Sequence, residues 1–242
     1  MPAIMMAGGG WNPLSCDGTL HLLVRPEGTK YTTTARSTLT TGTGNVGSAT
    51  DDSPQANHIE IASSLPTRTT GGGITFAGNY LRTKNVMGAA FAGDFLVGLA
   101  TKLTTPVVTH RYLDCASVNG YILSQANNGG GLNKVNSIVV DTTPAYGLEL
   151  AATDGVFHGF VDSRVGTTHD LRIDGTLAGT ETVPSSSFGS GSYLYVSADG
   201  PSPSYSMYGD IYEIIIIANP STRDILGMPG YFARRNTAGI YV

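Results

Sequence analysis

From about residue 15 onward, apolar residues come in short runs, some alternating with polar positions and some continuous, and each run ends at Gly, Pro, Asn or Asp. Helical spacing is nearly absent, so the pattern predicts strands. Thirteen are expected: Leu20–Val24, His58–Ala62, Gly73–Phe76, Phe95–Lys102, Val107–Leu113, Gly120–Ser124, Val135–Val140, Gly147–Ala152, Val156–Asp162, His169–Ile173, Leu177–Val183, Ser192–Ser197 and Gly209–Ala218. Breakers stand between them, among them Gly71–Gly73, Asn127–Gly131, Asp154-Gly155, Asp174-Gly175 and Pro201–Pro203. The two Asp-Gly pairs suit tight hairpins, because both central positions of a type I′ turn need positive φ. One unbroken rhythm of this kind predicts an all-β, antiparallel two-sheet β-sandwich over residues 14–242, preceded by an N-terminal arm, 1–13.

Two stretches depart from the rhythm. Residues 25–57 are rich in Thr and Gly, hold almost no large aliphatic residues, and are expected to form a long surface excursion covering a sheet edge or an assembly contact. In Gly209–Ala218, by contrast, Ile214–Ile217 cannot alternate between core and water. That strand should be buried on both faces near a sheet centre. Asn219-Pro220 stops it, and Ser221 with Asp224 three residues later supplies a helix N-cap and a carboxylate at the positive helix end. A short C-terminal helix should begin there and break or kink at Gly227 and Pro229.

Composition narrows the function classes. Only 13% of residues are charged while 40% are apolar, and the net charge is −4, which disfavours disorder and nucleic-acid binding. No segment reaches the length of a membrane span, so no membrane insertion is expected. The start, MPAIMMAGGGW, lacks the basic and apolar regions of a signal peptide, which points to synthesis in the cytoplasm. Cys16 and Cys115 are not required to bridge, and no His stands at ligand spacing from either.

The last strand and the residues after it, Gly209, Ile211, Glu213, Ile214–Ile217, Ser221, Tyr231, Phe232, Ala233 and Arg234, resemble the ending of the concanavalin A-like, LamG-type jelly-roll family. Phe76-Ala77-Gly78-Asn79-Tyr80-Leu81, with Pro66 upstream, and Asp94–Lys102 resemble its inner segments. Trp-containing motifs of the family's first third are absent; Leu22-Leu23-Val24 and Thr50–Ser53 stand in their place. In the version found in tailed phages, the resemblance implies a virion structural protein, a capsid decoration or a tail or fibre component. Its partners would be other virion proteins, copies of itself (a homo-oligomer such as a trimer) and host surface glycans. A glycan-binding host-attachment module is the alternative.

No catalytic residue is expected. The paired carboxylates that β-glucanases on this fold place along one strand are missing, and Glu149 and Asp154 do not replace them. Tyr112, Tyr121, His110, Arg111 and Gln125 could make a polysaccharide lyase site, although Tyr and His at period two more often form a half-buried sheet face. No cofactor is expected; calcium is the weak candidate, through Asp51, Asp52, Asp94, Asp199 or Asp210. Glu213, among isoleucines that include Ile211, Ile215 and Ile217, should be a structural acid held by hydrogen bonds. In Tyr193-Leu194-Tyr195-Val196 the aliphatics can fill the core and leave Tyr193 and Tyr195 outward, with Tyr205 and Tyr208 nearby, to stack on a sugar or pack on a subunit. Ile4, Met5, Met6 and Trp11 read as an anchoring arm, with the expectation that removing residues 1–11 abolishes docking and spares the fold.

Overall fold

A computed structural model of the chain describes residues 10–62, 64–103, 110–115, 121–127, 133–140, 145–151, 155–183, 192–198 and 206–241. In chain order the strands are β1 (Thr19–Val24), β2 (Lys30–Tyr31), β3 (Ser48–Ala49), β4 (Ile59–Ile61), β5 (Thr67–Arg68), β6 (Ile74–Ala77), β7 (Leu81–Val86), β8 (Phe95–Leu103) and β9 (His110–Asp114). They continue with β10 (Tyr121–Asn127), β11 (Asn133–Val140), β12 (Ala145–Ala151), β13 (Phe157–Val165), β14 (Thr168–Ile173), β15 (Thr176–Thr182), β16 (Tyr193–Val196) and β17 (Tyr208–Ala218), and α1 (Thr222–Thr237) ends the series.

Two antiparallel sheets result. The first runs β15-β14-β13-β8-β17-β6-β5, with β1 also on β17, and the second runs β12-β11-β10-β9-β16-β7-β4-β3-β2. The expected two-sheet sandwich is therefore what this sequence forms. Its central strand is the isoleucine run: β17 has β8 on one side, and β6 and β1 share the other. Ile214 and Ile216 enter the core between the sheets, while Ile215 and Ile217 enter a second core under α1. A helix covers the first sheet's outer face, so both faces of β17 are dry. That leaves the second sheet's outer face without a helix over it among the described residues.

α1 begins where the sequence indicates. Ser221 Oγ accepts from the Asp224 backbone N–H, and Asp224 Oδ2 accepts from the Ser221 N–H at 2.9 Å. The expected break at Pro229 does not occur; the helix continues to Thr237. A proline inside a helix, with its lost bond and its clash against the preceding turn, costs about 3 kcal/mol, but Met228, Tyr231 and Phe232 on either side of it are buried against the sheet, and each contributes about 1.5–3 kcal/mol. The helix can lie close because Gly98 faces it: a Cβ there would stand 2.5 Å from Met228 Sδ.

Three further corrections concern the N-terminal third. Trp11 does not belong to a free arm. It is 2% exposed, its ring stands edge-on to Tyr231 at 5.7 Å, and its Nε1 donates to Asp224 Oδ1 at 2.9 Å. Pro13 is buried as well, so the arm boundary at 13 lies inside the folded body. Residues 25–57 are no simple excursion, since they supply the edge strand β2 and its neighbour β3 and bury Val46 and Ala49 in the core. Ile4, Met5 and Met6 lie outside the described residues.

One charged cluster sits inside the sandwich. His169 on β14 is fully buried, with Nε2 2.8 Å from Asp162 on β13 and Nδ1 2.8 Å from Glu181 on β15. Burial alone would lower the imidazole's pKa, but the two carboxylates overrule it and push it up to about 9. Arg164 is its register neighbour on β13. Because the folded value lies above the ordinary 6.5, the stabilisation is full below pH 6.5 and is lost as pH rises through about 9. The stability advantage of the wild type over His169→Gln should shrink by about 3 kcal/mol between pH 6 and 10. Urea midpoints at both pH values measure it, and an advantage independent of pH would show that His169 is not held as the cation.

Candidate functional site

β16 arranges its side chains by simple alternation. Leu194 and Val196 are fully buried in the intersheet core, and Tyr193 and Tyr195 project from the opposite face, partly exposed. Neighbouring strands extend this face by register. Tyr195 is paired with Asp114 on β9 and with Arg82 on β7, and Arg82 with Glu60 on β4. Directly opposed residues in a sheet point to the same side, so Asp114, Tyr195, Arg82 and Glu60 form a row across four strands.

The register slips between Tyr193 and Tyr195, because β7 carries extra residues opposite them. Thr83 repairs the slip: its Oγ accepts from the Leu194 N–H at 3.0 Å and donates to the Asn85 carbonyl at 2.8 Å. The displaced strand brings the Arg82 guanidinium over the Tyr193 ring, 4.4 Å from its centroid. Tyr80 enters from the β6–β7 turn. Gly78 takes φ +81 there, Asn79 Oδ1 accepts from the Ala77 N–H, and Ser197 Oγ donates to the Asn79 carbonyl at 2.9 Å, which ties the turn to the end of β16. The Tyr80 ring lies 6.3 Å from that of Tyr195. Together with Ile61 and Ala62, Tyr80, Arg82 and Tyr195 line an open groove of about 400 Å³, within the size range of small-ligand sites.

The four tyrosines singled out in the sequence do not converge. Tyr193 and Tyr195 are on the grooved face. Tyr208 is 50% exposed on the other sheet, at the start of β17 and beside Gly78, and Tyr205 lies outside the described residues. Tyr80 and Arg82 do not stand out in the sequence as site residues. For Tyr80 a signal is present, since it closes the Phe76–Leu81 segment that carries the family resemblance.

Other candidates are drawn into structure. Tyr112 is buried between the sheets with its ring stacked on Phe160, so it offers no phenol to a lyase site; the side chains of His110, Tyr121 and Gln125 are outside the described residues. Arg111 is paired with Asp114 at 2.6 Å. Asp51, a calcium candidate, is filled by protein donors: the N–H groups of Leu23, Ser53 and Asn57 and the Ser53 hydroxyl. Asp52 pairs with Arg25, Asp94 accepts from the Gly166 N–H, and Asp210 accepts from Thr75. Asp199 is outside the described residues. Glu213 is buried and held through side chains rather than backbone N–H groups: Tyr231 and Arg235 on α1, and Tyr241 in the segment that follows the helix. A bulge at Tyr212 turns Ile211 into the intersheet core and leaves Glu213 on the helix side with Ile215 and Ile217.

A second cleft of about 260 Å³ lies between α1 and β13. Its rings are already engaged, since Phe157 stacks on Tyr241 at 4.5 Å and Phe232 is buried. In the tyrosine groove, by contrast, Tyr195 keeps a partly exposed ring, with the buried Tyr80 behind it.

Fold and groove together define a two-sheet β-sandwich of the jelly-roll kind with an open, tyrosine-lined outer face. Solved structures with this architecture include the binding domain of botulinum neurotoxin serotype D, with a TM-score of 0.64, 9% identity, and coverage of 91% of this chain and 53% of that one. The binding domain of botulinum neurotoxin DC, solved in complex with SialylT, matches with a TM-score of 0.62 and 9% identity over 88% of this chain and 52% of that one. The receptor binding domain of botulinum neurotoxin type G gives a TM-score of 0.62 and 9% identity over 90% and 51%. At such identities the likeness is one of fold, and the chain spans about half the length of those domains. No family model matches the chain, and no curated protein does.

Proposed function

We propose that the protein is a non-enzymatic glycan-binding module whose site is the groove on the outer face of the second sheet. The observation that carries this reading is the partly exposed Tyr195 ring in the groove, backed by the buried Tyr80, with Arg82 beside it over Tyr193 and Glu60 next in the row. A sugar ring has an apolar C–H face and an equator of hydroxyls. Tyrosine rings suit the first and a carboxylate–guanidinium row the second. Support from outside the chain is that the fold is shared with domains whose described role is binding, one solved with SialylT and another with rat synaptotagmin II.

The virion setting, as a capsid decoration or a tail or fibre component, rests on the sequence resemblance. It would give the module a carrier and leave the chemistry of the groove unchanged.

The test is binding to a glycan array, followed by titration of the best hit. Tyr195→Ala should weaken that hit at least about tenfold, and Tyr193→Ala combined with it should abolish the signal. A wild-type chain that binds no saccharide, or a double variant that binds as well as wild type, would overturn the reading.

A further inference from the structure

Among the residues lining the groove, the charged one is Arg82. Its situation differs from that of five ion-paired arginines, and it is shared in that respect with Arg36, Arg68 and Arg234 among the described residues. Arg25, Arg111, Arg172, Arg223 and Arg235 each have a carboxylate within 4.0 Å. Among the described residues Arg82 has none; its guanidinium lies on the face of Tyr193. Glu60 is opposite it in register but does not come within ion-pair distance.

A guanidinium stacked on a ring uses its π-face for that contact and keeps its N–H donors, which lie in its own plane, unspent. Stacking also fixes the plane, so the donor fork is oriented before any ligand arrives. Local charge points the same way. The whole chain carries −4, but on this face Asp114 is neutralised by Arg111, while exposed Lys84 adds a second positive charge on the strand of Arg82. Glu60 alone does not balance the two.

From the unpaired, ring-stacked guanidinium of Arg82 beside Tyr195, we infer that the groove takes saccharides bearing a carboxylate, with Arg82 gripping the carboxylate and Tyr195 stacking on the sugar ring. This rests on the glycan-binding reading and narrows it to an acidic sugar. The planar fork matches the two carboxylate oxygens, a geometry that an ammonium cannot reproduce. A terminal sialic acid and a uronic acid both present this group on a pyranose ring, and the experiment separates them.

Calorimetric titrations of the full chain with 3′-sialyllactose, trigalacturonate, lactose and a neutral hexose trimer make the test. One or both acidic ligands should bind at least about tenfold tighter than their neutral counterparts, and which one does so identifies the source of the carboxylate. Arg82→Gln should remove that preference while leaving residual neutral binding, and Arg82→Lys should not restore it. Tyr195→Ala should weaken acidic and neutral ligands alike. Melting curves of the variants guard against loss of fold. Equal affinity for acidic and neutral sugars, or a preference that survives in Arg82→Gln, would overturn the inference and leave the glycan-binding reading standing. Absence of binding by all four, with no response on a broad array, would overturn both.

Discussion

Replacing Glu213 by alanine should destabilise the protein by about 3–5 kcal/mol, which for a chain of this size lowers the melting temperature by roughly 10 °C. Its carboxylate is fully buried on β17, accepts from the Tyr231 hydroxyl at 2.7 Å and the Tyr241 hydroxyl at 2.7 Å, and forms an ion pair with Arg235, whose Nε lies 2.8 Å away and donates to the Tyr241 hydroxyl. Burial raises its pKa, and Arg235 with the two phenols pulls against that rise. The two phenols donate to it and the guanidinium faces it as a counter-charge, an arrangement that suits the ionised form. Arg235 continues the chain of charge to Glu27 at 2.7 Å. Removing the carboxylate leaves two buried phenols without their acceptor and Arg235 with Glu27 as its remaining carboxylate, and that loss inside a dry core is what makes the effect large. Glu213→Gln keeps the shape and loses the charge, so it should fall between wild type and Glu213→Ala. Tyr241→Phe removes one donor and should cost about 1 kcal/mol. Hydrogen exchange should show residues 222–241 opening first in Glu213→Ala. A midpoint within about 1 kcal/mol of wild type would mean that this network does not fasten the helix to the sheet.

The order of legibility tracks the physics of each element. β17 could be read from four consecutive isoleucines, and α1 from Ser221 and Asp224, because burial on two faces and helix capping both leave local marks. The Asp174-Gly175 hairpin was equally plain, and its φ values of 50 and 83 are those a type I′ turn demands. β7 left no mark. Its sequence, LRTKNV, presents charge outward, while its buried Thr83 is polar and serves the slip in pairing. The two-residue strands β2, β3 and β5 are too short for any period. Part of their support is invisible in the pattern: buried Lys30 donates to the carbonyls of Arg25, Pro26 and Gly28, and burial lowers its pKa to about 8. The candidate site shows the same division. Tyr193 and Tyr195 follow from alternation within one strand, whereas Arg82 joins them through cross-strand register and Tyr80 through the β6–β7 turn, neither of which a single strand's pattern contains.

The second large effect is expected at Trp11. Trp11→Ala should cost about 3–5 kcal/mol, and deleting residues 1–11 should cost at least as much, contrary to the expectation that this segment is a dispensable anchor. The ring fills the gap between the N-terminal segment and α1, where it leaves so little room that a Cβ on Gly227 would collide with it. Its Nε1 donates to Asp224, whose carboxylate also accepts from the backbone N–H groups of Asp17, Gly18 and Ser221. Burial would raise that carboxyl's pKa, and these four bonds, Trp11's foremost, hold it below its ordinary value. One residue therefore joins the helix cap, the chain entry into β1 and the core under α1. Trp11→Phe keeps most of the apolar area and leaves Asp224 its three other donors, so it should cost only about 1–2 kcal/mol. Trp11 is the chain's one tryptophan, so its emission reports the same event in the wild type: blue-shifted in the native state and shifting red together with the loss of β signal in circular dichroism. An unchanged urea midpoint for Trp11→Ala would show that the N-terminal segment is not part of the folded body. The groove lies on the other sheet, so at temperatures where the variant remains folded its saccharide affinity should match wild type. A truncation through residue 11 that loses a partner would therefore report on stability before it reported on an anchor.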